Sequence, residues 1–338
     1  MAGQLTLGID VGGTKILGLA IDGAGAVLAE AKVATPRVVP AENDDDSGAE
    51  AVIEAIADVA EQLRGTLGTE AARLSAAGVG VPGLVADDGT LSFAPNLPGG
   101  EGLDVRGRVG RRLGDLRVVV DNDATCAAVG EWTYGAAAGA TDAVVVTLGT
   151  GIGGGLIVNN RVTRGAHGFA GEIGHMVVDP SGPSCPCGKR GCWERFASGS
   201  GLGRLAREAA HAGRLEEVVR LAGGDPEAVR AEDVTAAAAA GDTGAQTVLE
   251  ELGWWLALGL ANLANLLDPA LFVLGGGLVD ALDLVLEPVR VAFDDLVEGR
   301  HRRPEVMICL ATLGERAGAI GAGVLARQDD RAGVVGPD

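Results

Sequence analysis

Hydrophobic and polar positions alternate at the start of the chain, where Leu5, Leu7 and Ile9 carry the apolar side chains. This period of two predicts a half-buried β-strand. Gly12-Gly13 and the stretch 22–25 carry turn residues, so the apolar runs after them are expected to return as antiparallel strands. The N-terminus therefore predicts a three-stranded meander, whose second and third strands are expected at 14–21 and 26–33.

A helical period replaces the alternation further along. Apolar residues from Val52 to Leu63 keep the spacing of an amphipathic helix, which is expected to run to about Arg64. Ser47 and Glu50 have the spacing of a capping box, and a polar loop is expected at 36–47. Short buried strands are predicted at 76–81 and 118–121.

The second half of the chain repeats the plan of the first. A β-branched strand is followed by a glycine-rich turn, a short returning strand and an Asn159-Asn160 turn. This echo predicts an internal duplication of architecture. The elements expected here are strands at 143–148, 156–158 and 270–274, the glycine turn at 149–155, and long helical stretches at 202–221 and 234–267.

Length and charge narrow the class of protein. A chain of 338 residues suggests about two domains. The formal charge of -19 argues against binding nucleic acid or an anionic membrane, whereas backbone N–H groups can hold ATP whatever the net charge. The N-terminus shows no targeting signal, and the apolar stretch 252–267 is shorter than a membrane span and interrupted by asparagines, so a cytoplasmic protein is expected.

Two glycine-rich turns are candidate phosphate-binding sites. Glycines at 12–13 allow a phosphate close to the backbone, and Asp10 at the strand end suits a hydrated Mg²⁺, but an ordinary hairpin turn explains this motif equally well. The stretch 147–155 has five glycines within seven positions, which favours a loop around a polyphosphate. It lacks the Gly-Lys-Ser/Thr ending of a Walker A motif.

Asp121-Asn122-Asp123 lies between a Val-rich strand and a helical stretch. A carboxylate there can accept a proton from a hydroxyl that attacks a phosphoryl group, whereas helix capping is the structural alternative. Because both acids of an extended segment point the same way, spacing does not decide which one is the base.

A metal site is the most specific local prediction. His175 with Cys185, Cys187 and Cys192 supplies the closed tetrahedral set of a structural zinc. Only spacing links His175 to the cysteines, so a plain core or surface histidine is the alternative for that position. Glu172 and Glu194 flank this cluster. Each is either an ordinary solvated surface charge or one of two paired carboxylates that suit vicinal sugar hydroxyls. Gly275-Gly276 after a strand is either a turn or a backbone surface for a flat ligand such as adenine.

Taken together, these motifs resemble the ROK family (repressors, open reading frames, kinases), and within it the bacterial glucokinases. The resemblance runs over nearly the whole chain. It rests on GIDVGGTK at 8–15, Pro82-Gly83, PNLPG at 95–99, DNDA at 121–124, TLGTGIGGG at 147–155, GEIGH at 171–175, CPCGKRGCWE at 185–194, LGGG at 274–277 and GAIGAG at 318–323.

The resemblance implies an α/β, two-domain ribonuclease-H-like fold of the actin/hexokinase/Hsp70 type with an interdomain active-site cleft. A small domain is expected at 1–121 plus about 310–330, with a helix at 318–327, and a large domain with the zinc site at 122–309. The implied activity is phosphorylation of glucose at the 6-hydroxyl with ATP, Mg²⁺ and a structural Zn²⁺. A homo-oligomer, dimer or tetramer, is expected.

The resemblance also assigns roles to single residues. Asp123 is the expected catalytic base and so is favoured over Asp121. The expected sugar contacts are Gly83, Asn122, Asp123, Glu172, His175 and Glu194, with His175 also a zinc ligand. The expected nucleotide contacts are Asp10, Gly12, Gly13, Thr14, Lys15, Thr150, Gly151, Gly275 and Gly276.

Two other functions compete with a glucose kinase. A sugar-responsive repressor would need a helix-turn-helix arm, and the Asp10 motif starts within ten residues of the N-terminus with no basic segment before it. A kinase for fructose, mannose or N-acetylmannosamine would share most of these motifs. Polyphosphate as the donor is less favoured, because its charge suits a basic site.

Overall fold

The computed structural model of the chain describes residues 3–36, 47–94, 100–114 and 116–328, without the side chains of residues 47, 279 and 280. Contacts divide the chain into two compact units. The first unit is formed by Met1–Val145, Gly154–Gly171 and Thr312–Asp338, and the second by Val146–Gly153 and Glu172–Ala311.

A five-stranded sheet forms the centre of the first unit, with strand order β3-β2-β1-β4-β8. The strands β1 to β3 make the antiparallel meander that the alternation predicts, while β4 and β8 run parallel to β1 and to each other. The strands are β1 (Leu5–Val11), β2 (Lys15–Ile21), β3 (Val27–Ala34), β4 (Leu74–Val81) and β8 (Arg117–Asn122), and a small antiparallel sheet contains β5 (Leu84–Val85), β6 (Thr90–Phe93) and β7 (Leu103–Asp104).

Helices cover both faces of this sheet. On one face α1 (Ser47–Leu67) packs against Gly18, where an added Cβ would lie 2.2 Å from Val59. On the other face α10 (Ala317–Arg327) packs against Gly8, where a Cβ would lie 1.8 Å from the Ala319 carbonyl oxygen. The helix expected at 318–327 is therefore present. The remaining helices of this unit are α2 (Val105–Leu113) and α3 (Asp123–Tyr134).

A second five-stranded sheet has the order β11-β10-β9-β12-β13. Asn159 and Asn160, with φ of 51° and 58°, form the tight turn before β11 that the sequence predicts. Its strands are β9 (Ala143–Leu148), β10 (Ile152–Ile157), β11 (Val162–Thr163), β12 (Leu271–Gly275) and β13 (Met307–Leu310).

The glycine turn predicted at 149–155 is wrong in its extent. Only residues 149–151 form the turn, and the next glycines belong to β10. Packing explains one of these strand glycines, because a Cβ at Gly155 would lie 2.2 Å from Cβ of Ala128 in α3. Gly155, which the sequence ascribed to phosphate binding, therefore serves the close approach of α3.

The two long helices predicted in the second unit are each divided. The turns after His211 and Ala239 interrupt them, because Gly213 and Gly241 adopt positive φ. The helices of this unit are α4 (Glu194–Ala197), α5 (Gly199–His211), α6 (Glu216–Leu221), α7 (Ala231–Ala239), α8 (Thr243–Leu267) and α9 (Val279–Leu296).

Some predictions stay outside what the structure describes or tests. Residues 37–46 of the polar loop, the 95–99 motif and the side chain of Ser47 lie outside the described residues. Helix α3 and residues 154–171 group with the first unit, whereas the predicted large domain began at 122; the domain boundaries stay a prediction. Within the described ranges, none of the helices is both long and apolar enough to cross a membrane.

Candidate active site and metal centre

Asn122 fixes the start of α3. Its Oδ1 caps the helix by accepting a hydrogen bond from Thr125 N at 3.0 Å, and its Nδ2 donates to the Gly83 carbonyl oxygen at 3.1 Å. Gly83 has φ of 113°, and a Cβ there would lie 2.3 Å from the Phe93 carbonyl oxygen, so the fold itself requires this glycine. The predicted sugar contacts Gly83 and Asn122 are thus brought together.

Asp123 is the first residue of α3 and is half-buried. Its Oδ1 accepts a hydrogen bond from Ala124 N at 2.8 Å. Burial raises the pKa of the Asp123 carboxyl, and hydrogen bonds from backbone N–H groups lower it in part. A carboxylate with a raised pKa accepts a proton more readily, which suits a general base.

Asp121 has a different environment from Asp123. Its Oδ2 accepts a hydrogen bond from Arg164 Nε at 2.8 Å, and the two side chains are only 4% and 8% exposed. This buried ion pair gives Asp121 a structural role. Packing therefore distinguishes the two acids, and the assignment of Asp123 as the base stays a prediction.

Asp10 lies at the end of β1, close to Asp123. The space for its carboxylate depends on Gly318, where an added Cβ would lie 2.6 Å from Asp10 Cγ. Burial first, and the negative charge of Asp123 second, raise the pKa of Asp10 to about 7, against a smaller opposing effect of Lys15. A half-buried carboxylate at the end of a strand, as Asp10 is, suits a divalent cation such as Mg²⁺.

The first glycine hairpin, residues 12–15, joins β1 to β2. Gly12 N donates to the Lys15 carbonyl oxygen at 2.9 Å. Thr35, just beyond β3, donates from Oγ1 to the Gly12 carbonyl oxygen at 2.6 Å and from N to the Thr14 carbonyl oxygen at 3.1 Å. The Lys15 ammonium forms an ion pair with Glu315.

The second glycine hairpin, residues 149–151, joins β9 to β10. Gly149 N donates to the Gly151 carbonyl oxygen at 3.0 Å. Gly199 N donates to the Gly149 carbonyl oxygen at 2.8 Å, and Ser200 N to the Thr150 carbonyl oxygen at 3.4 Å. The two predicted phosphate loops thus have the same local design, in which neighbouring donors hold the turn carbonyls.

Gly275 and Gly276 are explained by packing. Gly276 has φ of 101°, and a Cβ there would lie 2.5 Å from the Leu148 carbonyl oxygen, while a Cβ at Gly275 would lie 2.7 Å from Cβ of Ala311. Their predicted contact with adenine stays a prediction.

The predicted metal ligands converge in the second unit. The ligand atoms of His175, Cys185, Cys187 and Cys192 all lie within 4.8 Å of one another. Sγ of Cys187 and Sγ of Cys192 are 3.6 Å apart, and Sγ of Cys185 lies 3.8 Å from His175 Nδ1. With Zn–S bonds of about 2.3 Å, a tetrahedral site separates its sulfurs by about 3.8 Å. The donor set and spacing therefore fit zinc.

Both flanking glutamates lie beside this cluster. Glu194 Oε1 is 3.8 Å from His175 Nδ1, and Glu172 Oε2 is 3.8 Å from His175 Nε2. Glu194 Oε2 also faces Gly151, where an added Cβ would lie 2.4 Å from it. Three of the predicted sugar-binding residues thus form one group within the second unit.

The sequence did not predict several residues that hold Asp121 and the two glycine hairpins in place. Arg164 pairs with Asp121, Thr35 holds the first glycine hairpin, and Ser198–Ser200 support the second. Each of them acts across a gap in sequence, so spacing gave no signal. The one available signal was the Ser198-Gly199-Ser200 triplet itself, because serine before an apolar helical run is a typical N-cap.

The two sheets, each with a strand–glycine turn–strand element, define a two-domain α/β fold of the actin and hexokinase type. The chain belongs to the ROK family, whose family model matches residues 6–329. The expected fold class and family are therefore confirmed.

Individual relatives agree with this assignment. A glucokinase of Streptomyces coelicolor is 40% identical over 329 residues, which cover 96% of this chain and 98% of that protein. A glucokinase of Halalkalibacterium halodurans is 35% identical over 337 residues, covering 98% and 97%. The crystal structure of a ROK family glucokinase from Streptomyces griseus in complex with glucose and AMPPNP matches with a TM-score of 0.83 at 39% identity, covering 96% of this chain and 99% of that one.

Proposed function

We propose that the protein phosphorylates glucose at the 6-hydroxyl with ATP, giving glucose 6-phosphate and ADP. The observation that carries this proposal is Asp123, a half-buried carboxylate of raised pKa at the start of α3 and close to Asp10. The similarity to glucokinases over nearly the full length of the chain supports glucose as the acceptor.

Asp123 is the general base of this reaction. Its carboxylate accepts the proton of the 6-hydroxyl while the hydroxyl oxygen bonds to the γ-phosphorus of ATP, and the bond from that phosphorus to the β,γ-bridging oxygen breaks to release ADP. The raised pKa brings the carboxyl closer to the operating pH, where a base is most effective.

The nucleotide is assigned to the two glycine hairpins. In this proposal N–H groups of Gly12, Gly13, Thr14, Thr150 and Gly151 bind phosphate oxygens, as turns with exposed amides do. Mg²⁺, when bound near Asp10, would neutralise charge that develops on those oxygens. Lys15 contributes a positive charge beside the first glycine hairpin, and Gly275-Gly276 are assigned to the adenine.

The sugar is assigned to Gly83, Asn122, Glu172, His175 and Glu194 together with Asp123. His175, Cys185, Cys187 and Cys192 would hold a zinc ion, which would orient the His175 imidazole and the segment that precedes Glu194. The chemistry that zinc supplies is structural, because a closed set of four protein ligands leaves no open position for substrate.

A coupled assay of ADP release over a panel of sugars tests the proposal. With ATP, glucose is expected to give the highest kcat/KM, ahead of fructose, mannose and N-acetylmannosamine, and omission of sugar is expected to abolish turnover. A parallel series with polyphosphate tests the donor. Preference for another hexose would revise the substrate, and no turnover with any sugar would overturn the kinase assignment and favour a sugar-responsive regulator.

A further inference from the structure

The second glycine hairpin is held from behind by one short segment of the second unit. Gly199 N and Ser200 N, on successive residues, donate to the carbonyl oxygens of Gly149 and Thr150. These two residues begin α5, where the first N–H groups of a helix have no partner within the helix. The first N–H groups of α5 therefore donate their hydrogen bonds to the carbonyl oxygens of the hairpin.

These two bonds also set the direction of the hairpin amides. A trans peptide unit is planar, so its N–H points opposite to its C=O. With the Gly149 and Thr150 carbonyls directed at α5, the N–H groups of Thr150 and Gly151 point away from α5. Those are the amides to which the proposed function assigns the ATP phosphates.

The supporting segment is itself tightly fixed. Ser198 is fully buried, its Oγ accepts a hydrogen bond from Gly201 N at 3.2 Å, and it donates to the Glu194 carbonyl oxygen at 2.5 Å. Glu194 begins α4, and a single residue, Trp193, separates it from the metal-ligand candidate Cys192. A single helical turn therefore connects the cysteine cluster to the segment that holds the hairpin.

We propose that Ser198–Ser200 are positioning residues that hold the second glycine hairpin in its phosphate-binding conformation, and α4 joins this segment to Glu194 in the chain. The inference rests on the proposed function, since it concerns how ATP is bound. In this proposal the cysteine cluster also supports ATP binding. The reason is that α4 carries the sugar-binding carboxylate of Glu194 and also supports the segment that holds the second glycine hairpin.

Gly199→Ala is the most direct test. An added Cβ at Gly199 would lie 2.9 Å from the Gly149 carbonyl oxygen, a backbone atom, so the hairpin has to move. Loss of one or two hydrogen bonds of this kind corresponds to about tenfold weaker binding. We expect the Kd for AMPPNP and the KM for ATP to rise about tenfold, with the glucose Kd changed less than about twofold.

Gly203→Ala is the matched control on the same helix. Its added Cβ would have Arg207 Nη1, the flexible end of a side chain, as its nearest neighbour at 3.4 Å. This variant makes the same chemical change without displacing the hairpin, so its AMPPNP affinity should equal that of the wild type. Zinc content and Tm of both variants report whether the fold is intact.

Ser198→Ala supplies a second test if Gly199→Ala does not fold. Removing the cap of α5 loosens the two donors without adding an atom, so AMPPNP affinity should fall in the same direction. Equal AMPPNP affinity of the wild type, Gly199→Ala and Gly203→Ala in an active kinase would overturn the positioning role alone. An inactive wild type would instead overturn the proposed function.

Discussion

The two glycine hairpins share one design but differ in what supports them. In each, two turn carbonyls accept hydrogen bonds from a neighbouring segment, Thr35 in the first hairpin and Gly199-Ser200 in the second. Thr35 follows a strand of the same meander, whereas Gly199-Ser200 follow the cysteine cluster through α4. The first hairpin therefore depends on its own sheet, and the second depends on the metal-ligand segment.

The two regions also differ in their acids. Asp10 precedes the first glycine hairpin and lies near Asp123, so the candidate chemistry belongs to the first unit. Beside the second glycine hairpin lies Glu194, in the group that is assigned to sugar recognition. One architecture thus occurs twice, and we propose that it serves the reaction in the first unit and sugar recognition in the second.

Replacing Asp123 should give the largest effect. In Asp123→Ala we expect kcat to fall by about 10²–10⁴, since a positioned base contributes that much, and the glucose Kd to rise only about fivefold, because one of several sugar contacts is lost. The ADP-release assay and a direct glucose titration measure the two effects. A kcat within about tenfold of the wild type would remove Asp123 as the base.

Asp121→Asn is the matched control for Asp123→Ala. Because Asp121 is in a buried ion pair with Arg164, its replacement should reduce the free energy of unfolding by about 3–5 kcal/mol. Urea unfolding should show this loss for Asp121→Asn and not for Asp123→Ala. A loss of stability in Asp123→Ala and none in Asp121→Asn would instead make Asp123 the structural acid and Asp121 the candidate base.

Loss of the metal should affect the second glycine hairpin and leave the first unchanged. In Cys187→Ser we expect about 10- to 100-fold weaker glucose binding, because residues that orient a site through a metal have effects of that size. Hydrogen exchange should accelerate at Thr150 and Gly151 and remain unchanged at Gly13 and Thr14. Equal acceleration in both hairpins, or a zinc-free wild type by elemental analysis, would contradict the comparison.

The acid beside the first glycine hairpin should make stability depend on pH. The folded chain binds a proton at Asp10 with a pKa of about 7, whereas an ordinary Asp has a pKa of 3.8. The folded state therefore holds a proton that the unfolded state has lost between these values, and its stability falls as pH rises toward 7.

The contribution of Asp10 protonation to stability is complete below pH 3.8, the ordinary pKa of Asp. It is lost as the pH rises through about 7, the pKa of Asp10 in the folded chain. Urea unfolding of the magnesium-free protein should show a smaller free energy of unfolding at about pH 8 than at about pH 5. Asp10→Asn should flatten that slope. An unchanged slope in Asp10→Asn would show that Asp10 titrates normally.

The smallest effect is expected at Thr35. Thr35→Val removes the Oγ1 donor to the Gly12 carbonyl oxygen and keeps the shape of the side chain. A hydrogen bond of about 1 kcal/mol corresponds to about fivefold weaker AMPPNP binding. Thr35→Ser, which keeps the hydroxyl, should bind as the wild type does. Equal affinity of all three proteins would show that the first glycine hairpin does not need this support.

Local patterns in the sequence predicted much of this structure. The alternation from Leu5 predicted the meander, the Asn159-Asn160 pair predicted a tight turn, and the Cys and His spacing predicted a cluster that the folded chain forms. Each of these signals is contained within a short stretch of chain. Such stretches fold according to their own periodicity and turn chemistry.

Contacts between distant residues could not be predicted in the same way. Gly155 is required by Ala128, and Asp121 is fixed by Arg164 43 positions further on. Glu131 is a further example, since this buried carboxylate accepts hydrogen bonds from the N–H groups of Thr312 and Leu313 at 3.1 and 2.8 Å. Only the packed structure brings such partners together.

We propose that zinc positions residues while Asp123 carries the chemistry. Replacing zinc with Co²⁺, which accepts the same tetrahedral ligands, tests it in a single protein. The pH profile of kcat should be the same for the zinc and cobalt forms, with kcat within about twofold. A metal-dependent shift of that profile would show that the metal takes part in the reaction and would contradict the account.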